Sequence, residues 1–211
     1  MLEADGDVTV QNEDGDTPLH VAAQNNDLGS ITMLIDKGAS TNAANTVGDT
    51  PLHVSCRNSE ESCIRKLLEN EADPAQQNAG GETGLHIVAG HTEPAWVQLL
   101  LDNGGDVHLT TSDDNGALTS MQIACANRDA ESMKILLDAG SDPNVKDMEG
   151  NTPLHLMAGY EFSESVDQLL QAGAVSASLS TRQIWTALQH DGTNHLGLWL
   201  IRNTRRRTTR S

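Results

Sequence analysis

Four of the eight histidines in this chain first suggest a chemical site by their type and spacing. His20, His53 and His86 lie 33 residues apart, and His155 stands in the same local motif. Zinc binds histidine at about 2 Å and needs several ligands around one ion. Residues that recur once in each packed helical layer lie about 10 Å from one another and cannot share an ion. We therefore predict no metal site at these histidines.

The three cysteines lack the surroundings of a nucleophile. Cys56 and Cys125 stand where other copies of the motif have alanine, a position that suits a small buried side chain. Cys63 occupies an apolar position of a predicted helix. A catalytic thiol needs a positioned histidine, and the pattern supplies none. An odd number of cysteines and an acidic start without an apolar signal segment indicate a reducing compartment, cytoplasmic and/or nuclear.

Carboxylates and glycines are abundant but do not converge. The acidic residues follow the turns and are not paired in one place, so no general acid–base site is visible. The pairs Gly80-Gly81 and Gly104-Gly105 match no phosphate-binding or dinucleotide fingerprint. We therefore predict no enzyme, no catalytic residue and no cofactor.

The chain is organised by a repeated segment, Thr-Pro-Leu-His-x-x-Ala. It is complete or recognisable at five places: residues 17–23, 50–56, 83–89, 119–125 and 152–158. Seventeen residues after each threonine stands an aliphatic pair: Leu34-Ile35, Leu67-Leu68, Leu100-Leu101, Leu136-Leu137 and Leu169-Leu170. Self-similarity at a period of 33 residues indicates an array of stacked units that share one elongated core.

This motif and its period resemble the ankyrin repeat. The resemblance implies an all-α repeat solenoid of helix-turn-helix units with β-hairpin fingers, about five full repeats and a shortened C-terminal capping unit. It also implies that each histidine ring bonds the turn backbone and the threonine. Glycine follows the second helix in four units, where a left-handed residue ends the helix. Glu71 takes that position in the second unit, so we expect a local cost there of about 1 kcal/mol.

The spacing predicts the following division of the chain. Residues 1–12 form a polar segment or partial cap, and 13–180 form the array, with units 13–45, 46–78, 79–111, 112–147 and 148–180. Unit four carries three extra residues before Thr119, so its finger should be longer. Gln122 replaces histidine in that unit. Residues 181–201 are predicted to be a shortened closing repeat, and 202–211 a basic, disordered tail.

The formal net charge is −17, and it is unevenly distributed. Residues 1–180 hold 29 Asp and Glu but 7 Lys and Arg, whereas residues 181–211 hold 1 and 6. An array this acidic repels nucleic acid and anionic membranes, so a protein with a basic surface is the expected partner. Only the Arg-rich tail could contact nucleic acid. It could instead be a nuclear-import patch, a solvated end, or a segment that folds back on the array. No membrane insertion, no small-molecule substrate and a monomer are expected.

The resemblance places partner-binding residues on the fingers and on the inner helices, which line a concave face. Carried over by position, these candidates are Asp16, Gln24, Asn25, Thr46, Val47, Asp49, Arg57, Asn58, Glu82, His91, Asn127, Met148, Glu149, Asn151 and Tyr160. Tyr160 is the best single anchor, since aromatic side chains dominate interface hot spots.

Three functional hypotheses follow. The first is a non-enzymatic protein–protein interaction module that masks or scaffolds a partner. Two narrower alternatives resemble known ankyrin proteins: an inhibitor-of-NF-kappaB-like regulator that sequesters a transcription factor, including a viral or pathogen mimic, or a substrate adaptor of a ubiquitin ligase. The basic C-terminal end and the absence of a Ser-rich N-terminal segment depart from the inhibitor class.

Overall fold

The computed structural model describes residues 6–91, 93–157 and 164–174. Ten α-helices lie in this part of the chain: α1 (Pro18–Gln24), α2 (Leu28–Asp36), α3 (Pro51–Asn58), α4 (Glu61–Leu68), α5 (Gly84–Ala89), α6 (Pro94–Asp102), α7 (Ser120–Asn127), α8 (Ala130–Asp138), α9 (Pro153–Met157) and α10 (Glu164–Gln171). They form five helix pairs, and the first helix of each pair begins within one copy of the repeated motif.

The helix pairs stack in chain order. Each first helix packs against its own partner and against the first helix of the next unit, so α1, α3, α5, α7 and α9 form one row. In the second row α2 packs against α4, α6 against α8 and α8 against α10. This is the predicted all-α repeat solenoid, in which each unit contacts mainly its neighbours.

One continuous apolar core runs through the stack. Its first row is the leucine of each motif or its substitute: Leu19, Leu52, Leu85, Met121 and Leu154, all at most 4% exposed. A second row comes from the later helices, where Leu67, Leu100, Leu136 and Leu169 are fully buried. Each large apolar side chain buried in this way contributes about 1.5–3 kcal/mol to folding. Because no unit covers its own apolar side, each of them depends on stacking.

Local rules fix where each helix begins and ends. Thr17, Thr50, Thr83 and Thr119 each form a capping box with the residue three positions later, which satisfies backbone N–H groups at the helix start. At the other end, Gly38 is left-handed with φ 87°, and Glu71 keeps that conformation with φ 63°. Glu71 therefore has the left-handed conformation for which a cost of about 1 kcal/mol is expected.

The fingers are tight turns in the described residues, and the expected hairpin strands are reduced to a single antiparallel bridge, Thr110–Thr119. In the second finger the Asn45 N–H donates to the Asp49 carbonyl at 2.9 Å, and the Gly48 N–H donates to the Asn45 carbonyl at 2.9 Å. A turn of five residues closed by these two hydrogen bonds is too short to form a longer ladder of β-strand hydrogen bonds. The first finger is closed by Asn12, so it begins one residue before the predicted boundary of the unit.

The fourth finger, residues 109–119, differs from the others. Its extra residues form a short 3₁₀ turn, Asp113–Asn115, followed by a left-handed Gly116 with φ 90°. Backbone hydrogen bonds join consecutive fingers into one row: Thr46 N to Asp14 O at 3.0 Å, Ala79 N to Val47 O at 3.0 Å, Ser112 N to Gly80 O at 2.8 Å, and Met148 N to Gly116 O at 3.4 Å.

Several predictions concern residues outside the described part of the chain. These are the anchor Tyr160, the closing repeat 181–201, the basic tail 202–211 and the first five residues of the polar N-terminal segment.

Candidate partner-binding face

The recurring histidines are structural bridges. In the second unit the Thr50 N–H donates to Nδ1 of His53 at 3.1 Å. Since Nδ1 accepts, the ring proton is on Nε2, which donates to the Glu82 carbonyl in the next finger at 3.0 Å. The same arrangement holds for His20 and His86. The predicted bonding of the ring to threonine and turn backbone is confirmed.

Burial keeps the His53 and His86 rings neutral. The side chains of His53 and His86 are almost inaccessible. Removal from water disfavours the imidazolium ion and lowers the pKa of both residues, and the carbonyl that accepts from Nε2 offsets this only in part. A neutral ring with both nitrogens engaged has no lone pair left for a metal. In the described ranges no group of three or more His, Cys, Asp or Glu side chains could hold a metal ion.

The cysteines are inert in the folded chain. Cys56, Cys63 and Cys125 are all fully buried and reduced. Burial raises the pKa of Cys56 and of Cys125 to about 12, and it also raises the pKa of Cys63. A thiol of this kind carries almost no thiolate at neutral pH and is a poor nucleophile.

Three predicted partner-binding residues meet each other in one polar cluster on units two and three. The Arg57 guanidinium binds both carboxylate oxygens of Asp49, one through Nη1 and the other through Nη2 at 3.0 Å. Nη2 also lies 3.2 Å from Glu82 Oε2. Asn78 Nδ2 donates to Asp49 Oδ1 at 2.8 Å and to Glu82 Oε2 at 3.1 Å. The cluster therefore ties two consecutive fingers to helix α3.

Asp49 is one of the predicted partner-binding residues, but it is not accessible to a partner. The residue is 6% exposed, because α3 and the next finger close over it. Burial alone would raise the pKa of this carboxyl, but the hydrogen bonds from Arg57 and Asn78 and the positive charge of Arg57 outweigh it, so the pKa of Asp49 is lowered. Asp49 is thus an ionised internal group, whereas Arg57 and Glu82 keep an exposed side.

Two predicted asparagines also bind within the chain. Asn58 Nδ2 donates to the carbonyls of Ala23 at 3.2 Å and Gln24 at 2.9 Å, across the junction between units one and two. Asn127 Nδ2 donates to the Ala89 carbonyl at 3.3 Å, across the junction between units three and four. Both residues remain exposed in part, but the side-chain amide of each one already donates a hydrogen bond to the preceding unit.

The fingertips carry the most accessible apolar candidates. Val47 is 55% exposed and Met148 is 62% exposed. Thr46, beside Val47, donates through Oγ1 to the Asp14 carbonyl at 2.7 Å, and Asn151 donates through Nδ2 to Asp147 Oδ2 at 3.1 Å. Glu149 is exposed. These residues lie on the row of linked fingers.

The remaining candidates lie on or beside the inner helices. Gln24 and Asn25 are exposed at the end of α1, and Asp16 is half-buried, where it accepts from Asn45 Nδ2 at 2.8 Å. His91 packs edge-on against Trp96, with ring centroids 6.1 Å apart. Among the predicted residues, the structure brings Asp49, Arg57 and Glu82 into direct contact.

Sequence reasoning missed the residues that close the fingers. The Oδ1 atom of Asn45 accepts from the backbone N–H groups of Val47 at 3.2 Å and Asp49 at 2.9 Å. Asn12 and Asn78 do the same in their fingers, and Asp147 takes the role in unit five. Their spacing of 33 residues, Asn12 to Asn45 to Asn78, is the signal that could have found them.

Comparison with known proteins gives one family. The family model for ankyrin repeats (3 copies) matches residues 1–78, 70–147 and 121–197. Relatives include protein fem-1 homolog A-A of Mus musculus, 45% identical over 42 residues, which are 20% of this chain and 6% of that protein. Rabankyrin-5 of Homo sapiens is 40% identical over 67 residues, 29% of this chain and 6% of that protein. NF-kappa-B inhibitor alpha of Sus scrofa is 36% identical over 67 residues, 32% of this chain and 21% of that protein.

These relatives are matched over a small part of their length, so the comparison concerns the repeat and not the whole of any one protein. No helix in the described ranges has the length and apolar character to span a membrane. Ankyrin repeats are protein–protein interaction modules and are generally non-enzymatic. Because the family model covers far more than half of the sequence, the chain belongs to the ankyrin-repeat family.

Proposed function

We propose that this chain is a non-enzymatic module that binds one partner protein through its finger row and inner helices, and that it acts by masking or scaffolding that partner. The observation that carries the proposal is the exposure of Val47 and Met148 on linked fingertips, beside polar residues. Apolar side chains that protrude from rigid, hydrogen-bonded turns can be buried by a partner with little loss of conformational entropy.

Charge supports a basic partner surface. Exposed carboxylates of Asp14, Asp113, Asp114 and Glu149 lie on three of the fingers. The positive charge of Arg57 is already shared between Asp49 and Glu82. A basic surface would therefore meet a negative potential along the finger row, which accelerates association and discriminates against acidic partners.

A second candidate is narrower. The local match to NF-kappa-B inhibitor alpha favours a regulator that sequesters a transcription factor, in the cytoplasm and/or the nucleus. In that case the bound partner is a DNA-binding protein, and this chain competes with DNA for it. A mobility-shift assay with the recovered partner distinguishes the two: release of DNA on addition of the chain supports sequestration, and an unaffected DNA complex supports scaffolding.

The main proposal is tested by comparing two variants in which a methionine is replaced by lysine. Met148→Lys places a charge on a fingertip, and Met33→Lys makes the same change at an equally exposed methionine of α2, since both residues are 62% exposed. Each variant is immobilised, exposed to cell extract, and the bound proteins are quantified by mass spectrometry.

We expect the wild-type protein and Met33→Lys to retain one protein at near-stoichiometric yield. We expect Met148→Lys to retain at least tenfold less of that protein. Circular dichroism should be the same for all three chains. Retention of the same protein by Met148→Lys at full yield would show that the finger row is not the binding surface. Recovery of no stoichiometric protein by any chain would contradict the module itself.

A further inference from the structure

One hydrogen bond is repeated at the first three junctions of the array. The Nε2 atoms of His20, His53 and His86 donate to backbone carbonyls of the following finger at 2.9, 3.0 and 3.1 Å. All three histidines are at most 2% exposed, so each bond is shielded from water. The helix start of one unit is thereby fastened to the finger of the next.

Gln122 does not make this bond at the fourth junction. Its Oε1 atom accepts from the Thr119 N–H at 2.9 Å and from the Thr119 hydroxyl at 3.2 Å, so it replaces the Nδ1 atom of histidine. This fixes the orientation of the amide, because the backbone donor requires an oxygen. The Nε2 atom is buried and has no hydrogen-bond partner.

The acceptor expected at this position is the Asn151 carbonyl, which keeps a lone pair for a second donor. Asn151 follows Gln122 by 151 − 122 = 29 residues, the separation that also relates His20 to Asp49. Its backbone carbonyl accepts from the Asp147 N–H at 3.0 Å, as the Asp49 carbonyl accepts from the Asn45 N–H, but it receives no second bond from Gln122. The link between units four and five therefore lacks the bond that the preceding units share.

Other features weaken the same junction. The finger link from Met148 N to Gly116 O is 3.4 Å long, whereas the three preceding links measure 2.8 to 3.0 Å. The hydroxyl group of Ser141, which follows α8, is buried without a hydrogen-bond partner. A buried polar group that water could satisfy in an open state favours that state.

We propose that the array opens at the junction between units four and five: α9 and α10 separate from α7 and α8 while units one to four stay folded. In a stack held by nearest-neighbour interfaces, an interface that has lost stabilising bonds is a place where local opening occurs. Opening hydrates the amide of Gln122 and exposes the face of unit four that unit five covers. This is a property of the fold and does not depend on the identity of a partner.

Gln122→His tests the proposal in the full-length chain. The imidazole can accept from Thr119 and donate to the following finger, as His53 does. We expect native-state hydrogen exchange of the α9 and α10 amides to slow by about tenfold or more, with the amides of α3 and α4 unchanged. Equal exchange rates in α9 and α10 of wild type and Gln122→His would overturn the proposal.

The reciprocal variant provides the matched control. His53→Gln installs the same amide at the junction between units two and three, where the other links are short. We expect it to speed the exchange of the α3 and α5 amides by about tenfold. If His53→Gln leaves that exchange unchanged while the chain remains folded, the histidine bond does not control opening and the proposal fails.

Discussion

Leu100→Ala provides a quantitative test of the stacked core. Leu100 lies on α6 and is fully buried, and α6 packs against α5 of its own unit and α8 of the next. Its Cδ atoms lie about 3.5 Å from the place where a side chain at Gly84 would begin, so they fill space at the start of α5. Removing them leaves a cavity between closely packed layers.

The expected loss in free energy of unfolding is about 2–5 kcal/mol, the range for Leu→Ala at fully buried sites. Leu101 is the matched control, since it is the next residue of the same helix but only half-buried. We expect Leu101→Ala to cost about 1–2 kcal/mol, in proportion to the smaller apolar area that it buries.

The assay is urea unfolding followed by circular dichroism at 222 nm, with the midpoint converted to free energy by the fitted slope. Leu100→Asp, which buries a charge without a counter-ion at the same place, should unfold the array broadly. A cost for Leu100→Ala no greater than that for Leu101→Ala would refute the reasoning, because it would mean that the junction between layers is not a packed core.

Three further predictions concern individual residues. Glu71→Gly should raise the free energy of unfolding by about 0.5–1 kcal/mol, because glycine adopts the left-handed conformation at φ 63° without strain; a loss of stability in urea unfolding would contradict this. The free energy of unfolding should fall as the pH drops below 6.5. The pKa values of buried His53 and His86 are lowered in the folded chain, so the unfolded chain binds protons at a higher pH than the folded chain does. His86→Gln should reduce the change in midpoint between pH 7.5 and 5.5, and an unchanged pH dependence would count against the neutral buried ring. Cys56 should resist a thiol reagent in native buffer and react after denaturation, given its pKa of about 12; rapid native labelling would show that the residue is accessible.

Features that repeat could be predicted from the sequence. The positions of the helices, the role of the histidines, the buried cysteines and the strained end at Glu71 all follow from comparing one unit with the next. The comparison works because each unit faces the same neighbours, so the same physical demand selects the same residue type at each copy. Comparison with the other units also predicts a longer fourth finger, because three extra residues precede Thr119. The 3₁₀ turn of that finger holds the extra residues.

Features that depend on one particular contact could not be predicted in this way. Asp49 has an exposed position in the repeat pattern, yet Arg57, eight residues later, folds back and buries it together with Asn78 of the next finger. The sequence alone also does not show that Gln122 lacks the hydrogen bond to the following finger, because the position of that finger is known only from the structure. Side chains that join different units need the three-dimensional stack before their partners are known.

The most direct test of the linear array is a nuclear Overhauser spectrum of the labelled isoleucine, leucine, valine and methionine methyl groups. The stacked arrangement predicts cross-peaks within a unit and between consecutive units, such as α5 with α7. It predicts none between units one and four. Cross-peaks that join Leu19 or Ile31 of the first unit to Met121 or Met133 of the fourth would contradict the stack, because they would require the chain to fold around one compact core.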